Sequence, residues 1–513
     1  MLWGAGGGPA YAASLSSPPP GSGSWTVYHD NPAGTGVAPP AAAIDTTTAA
    51  WTSPALDGQI YGEPLVYAGR VYVATENDTV YALSAASGRT VWSAHLSTPV
   101  PARSLPCGDI APTVGITGTP VIDQSRNEIF VVADEWAAGT SVHRLVGLST
   151  TSGQVEMSSD VDPPGADTAA LLQRTGLTLD AGQVVFGFGG NYGDCASYRG
   201  RVAAVHETGG TPTFFTVDAG AGESQGAVWM GGAAPVVDGA GHIWVSTGNG
   251  SVSSDQQAYD DSDSVLELSS SLRLLQFFAP STWATNNSQD LDMSIAPVLL
   301  PDGQVMLAGK SRIVYLLNGA HLGGVGGQQA TLGDSQHGTV GSACSNDIDG
   351  GSAVVGMTAY LPCLTGIIAV RATGSPAALH LLWSSGTGGG PPVAAAGLIW
   401  TIGQNGTLYG LDPATGQVRQ QAAIGMPANH FATPSLGDGL LLAASADNVV
   451  AFAASSRGGA SATTPAAGPA GPSNSQPASA SSAGEIAGIA FGALVVLVGI
   501  SWLFRQRRIR GKN

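Results

Sequence analysis

The sequence predicts an all-β fold, an eight-bladed β-propeller of four-stranded blades, followed by one C-terminal transmembrane helix. Three observations lead there: a repeat that recurs along most of the chain, period-2 alternation inside each copy, and a last copy one strand short. A matching lone strand lies near the N-terminus.

The repeat is clearest at two distant places. "GEPLVYAGRVYVATENDTVYALSAASGRTVW", Gly62 to Trp92, returns as "PVAAAGLIWTIGQNGTLYGLDPATGQVRQ", Pro392 to Gln420. One constant offset carries Pro64 onto Pro392, Gly69 onto Gly397, Asn77 onto Asn405, Tyr81 onto Tyr409 and Gly88 onto Gly416. Within each copy, short runs of alternating hydrophobicity are separated by turn residues, the pattern of an antiparallel meander. Fainter copies begin at Pro120, Pro235, Pro297 and Pro434. Degenerate ones, "LTLDAGQVVFGFGG…GRVAAVHE" and "SAVVGMTAYLPCLTGIIAVRA", fill the two wide gaps and bring the count to eight.

A sheet of four strands cannot bury both faces alone, so such units pack radially and close a ring. The last copy, ending near Ala454, supplies three strands. "TTTAAWTSPALDG" places Trp51 where Trp92 and Trp383 stand in their copies, so this N-terminal strand is expected to complete the last blade and fasten the ring. A chain of 513 residues with 73 glycines and 11% charged residues suits a large core with many tight turns.

The C-terminal end predicts an address. "IAGIAFGALVVLVGISWLF", Ile486 to Phe504, carries no charge and is long enough to cross a bilayer as a helix. Arg505, Arg507, Arg508, Arg510 and Lys512 follow, which by the positive-inside tendency makes the tail cytoplasmic and the rest external. The expected organisation is therefore a signal-peptide remnant and Pro/Gly/Ser segment (1–23), a propeller (24–455), a disordered Ala/Ser/Pro/Gly stalk (456–484), a single-pass membrane helix (485–504) and a basic tail (505–513). Ala10-Tyr11-Ala12 has the small-x-small form of a cleavage site, but no basic or long apolar stretch precedes it, so the signal is expected to extend upstream of Met1.

Four cysteines, Cys107, Cys195, Cys344 and Cys363, agree with an oxidising compartment. Of the three possible pairings, Cys107–Cys195 with Cys344–Cys363 is the one expected. None forms a CxxC or a vicinal pair, which argues against thiol redox chemistry. Of 19 basic residues five lie in the tail, and the remaining 14 face 36 acidic residues, a balance of −22. Such a charge argues against nucleic acid as a partner.

"GTLYGLDPATG", Gly406 to Gly416, and "SAASGRTVW" resemble the repeat signature of the pyrroloquinoline-quinone-type (PQQ-type) propeller family, over roughly residues 25–455. The resemblance implies the fold, and it implies two kinds of function: PQQ-dependent alcohol dehydrogenases, and non-enzymatic propellers that organise outer-membrane assembly. In the dehydrogenases a middle stretch supplies a Gly-Asn calcium ligand, a catalytic Asp and a cation beside the quinone. By that resemblance Trp229 and Asn249 would bind the cofactor, Asn249 and Asp292 would hold Ca²⁺, and Asp292 and Lys310 would be catalytic, with Asp290 nearby. Ca²⁺ takes hard oxygens and polarises a quinone, a carboxylate takes the alcohol proton, and a cation balances the oxyanion. Lys310 is the only lysine outside the tail. This sequence departs from the dehydrogenase pattern in two ways: it has no vicinal Cys-Cys pair, and Gln289 precedes Asp290 where a Trp-Asp-x-Asp form would stand.

Other motifs read as structural. Asp255, Asp260, Asp261 and Asp263, and likewise Asp347 and Asp349, lack the full spacing of a calcium loop and read as solvated acidic loops. The nine histidines never fall at metal-ligand spacing, and no GxSxG or HExxH occurs. "GFGGNYG", Gly187 to Gly193, reads as a turn. The function expected first is a membrane-anchored extracytoplasmic binding or scaffold module whose partner is an envelope protein, a glycan or a small polar ligand. The alternative is a membrane-tethered PQQ/Ca-dependent dehydrogenase of an alcohol or sugar.

Overall fold

Each copy of the repeat folds as an antiparallel sheet. This computed structural model describes residues 23–333 and 343–454, and they hold eight such sheets, the eight blades of a propeller. Blade 1 comprises Leu65–Tyr67, Arg70–Ala74, Thr79–Ser84 and Thr90–His95. Blades 2 to 7 span 121–160, 171–216, 236–279, 298–332, 353–385 and 393–423, and blade 8 takes 435–453. Blades 3 and 4 each carry a short fifth strand. The inner strands carry consecutive apolar residues rather than an alternation, which covers both faces, so Val71, Tyr72, Val73 and Val80 are all buried between neighbouring sheets. The fourth strands alternate exposed and half-buried residues, as at Thr90–His95, because they form the rim.

The missing strand is where the repeat pattern puts it. Trp51–Thr52 pairs antiparallel with Asn448–Ala453, Trp51 opposite Ala451 and Thr52 opposite Val450. Its tryptophan then docks on blade 1. Trp51 Nε1 donates to Ala85 O at 2.7 Å, and its ring covers Gly88, where an ideal Cβ would lie 2.4 Å from Cε3. The same device recurs at two other joints. Trp92 of blade 1 donates to Thr150 O of blade 2 at 3.0 Å over Gly153, and Trp383 of blade 6 donates to Pro413 O of blade 7 at 3.0 Å over Gly416. All three glycines have φ near +70°, a conformation other L-residues resist, so one residue type meets both the turn and the aromatic ring.

Residues 24–52 do more than close blade 8. Trp25 pairs with Val66, Thr26 O accepts from Ile122 N, Pro32 O from Val237 N, Thr35 O from Val354 N and Gly36 O from Ala394 N. Ile44 then bridges to Ala454. The segment thereby laces blades 1, 2, 4, 6, 7 and 8 in turn. Midway it sends two stacked rings, Tyr28 and His29, into the axis. His29 N donates to Glu63 Oε2 at 2.8 Å, its ring bonds Ser352 O and Thr433 Oγ1, and Tyr28 Oη accepts from Gly351 N. Burial drives the His29 pKa down to about 3 and raises that of Glu63. The channel is plugged by its own N-terminal segment.

Both expected disulfides are present, Cys107–Cys195 and Cys344–Cys363. The segments read as stalk, membrane helix and tail lie outside the described residues. Among the described residues no helix is long and apolar enough to cross a membrane.

Candidate functional site at the channel mouth

The loops that enter the first strand of each blade share one end of the ring with the turns between second and third strands; Trp229, Asp290 and Asp292 lie on the former, Asn249 and Lys310 on the latter. Asp290 and Asp292 follow the helix Trp283–Gln289, which stops because Asp290 turns left-handed (φ 59°, ψ 50°). Asn249 follows the strand Ile243–Thr247. Lys310 occupies the turn between Gln304–Ala308 and Val314–Asn318, and its N–H donates to Asp292 O at 2.9 Å. Gly309 allows this approach, since an ideal Cβ there would lie 2.0 Å from that carbonyl.

These residues join into one network. Lys310 Nζ pairs with Asp290 Oδ1 at 2.9 Å and with the buried Asp292 carboxylate. Asn249 N donates to Asp292 Oδ1 at 2.6 Å, and Asn249 Nδ2 to Asp290 Oδ1 at 3.0 Å. Lys310 Nζ also stands 5.7 Å from the centre of the Trp229 ring. Burial pulls the Lys310 pKa down, but the carboxylates of Asp292 and then Asp290 outweigh it and hold the ammonium well above its ordinary value. Its charge is fixed at every physiological pH.

A second cation faces the same mouth. Arg174 lies 4.5 Å over the Phe431 ring and 6.0 Å from that of Tyr61. Burial, with Arg174 and Lys310 adding to it, lowers the His430 pKa to about 4. Burial raises Asp349 to about 6, against the Ser294 hydrogen bond and Lys310. Tyr28 of the plug and Glu63, just before blade 1, line a cavity of about 10 Å³ with Tyr61, Arg174 and Phe431, room for one water. The Lys310 network thus sets an ammonium and two carboxylates beside Trp229, and the small cavity under Arg174 is a separate feature of the same end of the ring.

The structure brings Trp229, Asn249, Asp290, Asp292 and Lys310 into one cluster. Asp263 joins them from beneath, fully buried and within electrostatic reach of Asp292. This corrects the reading of its loop as solvated: Asp260 is also buried, and only Asp255 of that run is exposed. Asp349 is likewise buried, beneath the mouth. The run Gly187–Gly193 is not simply a turn, because Gln183–Gly190 is a strand. Its glycines make room: a Cβ at Gly189 would lie 1.9 Å from Trp229 Nε1. Arg174, Tyr61, His430 and Phe431 carried no motif that singled them out.

Comparison with known proteins fits this architecture. The family profile described as outer membrane protein assembly factor BamB matches residues 2–258, half of the chain. The chain belongs to this family. No curated protein matches this BamB-type chain. Among solved structures it is similar to the quinohemoprotein alcohol dehydrogenase from Comamonas testosteroni (14% identity, TM-score 0.62, covering 87% of this chain and 82% of that one). It is also similar to a europium-containing methanol dehydrogenase (14%, TM-score 0.61, 84% and 98%) and to BamB from Moraxella catarrhalis (13%, TM-score 0.50, 79% and 97%). At such identities these likenesses establish the PQQ-type propeller fold, which the BamB and dehydrogenase structures share.

Proposed function

We propose that this BamB-type propeller is an extracytoplasmic binding module, held at the cell membrane through residues 485–504, whose channel mouth takes a small polar ligand of the glycan class. The observation that carries this reading is the convergence of Lys310, Asp290, Asp292 and Asn249 beside one face of Trp229. Carboxylates, an amide and an ammonium offer donors and acceptors to neighbouring hydroxyls, while an indole face covers the apolar side of a sugar ring. The plugged axis supports a ligand that docks at the mouth rather than one that passes through. The test is a titration of the full chain, in detergent, with cell-envelope oligosaccharides, followed by Trp fluorescence. Saturable binding that Lys310→Ala and Trp229→Ala each weaken supports the proposal; binding indifferent to both variants refutes it.

One observation favours a second reading, the PQQ/Ca-dependent dehydrogenase. Asn249 Oδ1 is buried and has no hydrogen-bond partner, although Asn249 N is already bonded to Asp292. An orphaned hard oxygen next to a carboxylate fits Ca²⁺. On this reading Asn249 and Asp292 would hold the ion and Trp229 would lie against the quinone, which would supply the oxidising centre. Asp292 would accept the hydroxyl proton of an alcohol or sugar, and Lys310 would balance the charge. Stabilisation of the full chain by PQQ only when Ca²⁺ is present, lost in Asn249→Ala, would place this reading first. No change in stability or quinone absorbance would remove it.

A further inference from the structure

At the opposite end of the inner strands from the mouth, the turns that leave each first strand carry an aspartate in several blades: Asp123, Asp180, Asp238, Asp302 and Asp438. Asp123, Asp238 and Asp302 have a structural duty, each accepting a backbone N–H of its own turn. Asp238 Oδ1 accepts the N–H groups of Ala240 and His242 at 2.8 and 2.9 Å and so shapes its turn. Blade 4 adds what the other turns lack. His242 follows at the fourth position, and the third strand, Ser264–Leu268, places Glu267 directly opposite Trp244.

We propose that Asp238, His242 and Glu267 form a binding site for a divalent transition-metal ion of the zinc class, with Asp180 of blade 3 at its rim. Three observations carry this. First, His242 Nδ1 lies 2.6 Å from Glu267 Oε1 and 3.4 Å from Asp238 Oδ2, and the ligand atoms of all three residues lie within 4.8 Å of one another. Metal–ligand bonds of about 2.0–2.2 Å set neighbouring ligand atoms about 3–3.5 Å apart, so an ion needs only small shifts to sit between His242 Nδ1 and Glu267 Oε1.

Second, each carboxylate is oriented by its other contacts. The turn holds Asp238 Oδ1, while Trp244 Nε1 donates to Asp238 Oδ2 at 3.1 Å. Gln276 Nε2 donates to Glu267 Oε2, which leaves Oε1 turned to the histidine. Such outer contacts are what fix ligands around a metal. Third, Asp180 Oδ2 is shielded from solvent and has no hydrogen-bond partner. Its Oδ1 lies 3.5 Å from where a Cβ would stand on Gly241, the residue before His242.

The donor set chooses the metal. An imidazole nitrogen with two carboxylates suits Zn²⁺ and its neighbours and disfavours Ca²⁺ and Mg²⁺, which want oxygen alone. Glu267 is buried, while His242, 37% exposed at its side chain, gives an ion a way in and leaves one side open to water. Blade 2 shows the alternative solution to crowded carboxylates. There Arg126 reaches Glu128 at 2.7 Å and Glu207 at 3.8 Å, and a fixed cation occupies the space that an ion would need. Blade 4 has a histidine, which can be a neutral ligand.

The experiment strips the full chain with a chelator, then titrates Zn²⁺ in competition with a chromophoric chelator and records the visible spectrum with Co²⁺. One equivalent of Zn²⁺ is expected, with affinity reduced on the order of a hundredfold in His242→Ala and at least tenfold in Glu267→Gln. Ca²⁺ in large excess should not displace it. The histidine is at the surface and Gln preserves the Gln276 contact, so both variants should fold, which circular dichroism checks. Absence of stoichiometric binding, or equal affinity in wild type and both variants, overturns the site.

Discussion

Trp51→Ala is the sharpest test of how the ring is held shut. Trp51 is 9% exposed, and its ring fills the space above Gly88 while its Nε1 bonds Ala85 O. Removing a buried indole costs about 3–5 kcal/mol, and the carbonyl left without its donor adds about 1 kcal/mol. The total is a large part of the 5–15 kcal/mol that stabilises a typical domain. Equilibrium urea unfolding measures it, and limited proteolysis shows where the ring opens. Trp92→Ala is the control, because Trp92 makes the same contact over Gly153 at a joint where the chain is continuous. Both variants should lose stability, but only Trp51→Ala should render residues 24–52 sensitive to protease. A loss below about 1 kcal/mol in Trp51→Ala, or unchanged protection of that segment, would refute the closing role argued for this strand.

Four further outcomes follow from the same structure. Lys310→Ala leaves the buried Asp292 carboxylate without its cation and should cost about 3–5 kcal/mol, largely restored by adding Asp292→Asn; urea unfolding of the single and double variants checks this. Gly189→Ala should push Trp229 from its seat, seen as a shifted tryptophan emission and a loss of ligand binding. Glu76 is pushed up to about 7 by burial, so it keeps its proton on folding above its unfolded pKa, and its contribution is present at acid pH and lost as pH rises toward 7 and beyond. Glu76→Gln should therefore stabilise the protein by up to about 3 kcal/mol at pH 8 and hardly at all at pH 4. Replacing both Cys107 and Cys195 by Ser opens a loop of 88 residues and should cost about 4–5 kcal/mol, against about 3 for the 19-residue loop of Cys344 and Cys363, read by thermal unfolding.

The propeller was legible because each blade repeats the same turn chemistry, and even the closing strand left a trace in the position of Trp51. Lys310, Asp292 and Asn249 were legible as a group through their resemblance to a family stretch. What stayed hidden depended on register across strands or on chain paths without a pattern. Glu267 meets His242 only because residues 243 and 268 pair, a fact that no spacing of histidines along the sequence reveals. Tyr28 and His29 lie in an irregular segment, and nothing in their neighbours says that they enter the axis. The acidic run at 260–263 looked solvated because charge usually is, yet Asp260 and Asp263 are buried beneath the mouth.

The lacing of residues 24–52 also sets an order of events in time. The segment that seals blade 8 is synthesised before blades 1 to 7, and its partner strand, Asn448–Ala453, after them. Until about four hundred intervening residues have emerged, the early strand has no edge to pair with and the tryptophan above Gly88 has no sheet behind it. Maturation of the propeller therefore ends in one late, long-range event rather than advancing blade by blade to completion. A chain interrupted shortly before residue 448 would present two unmet sheet edges, which a quality-control protease or a chaperone can recognise.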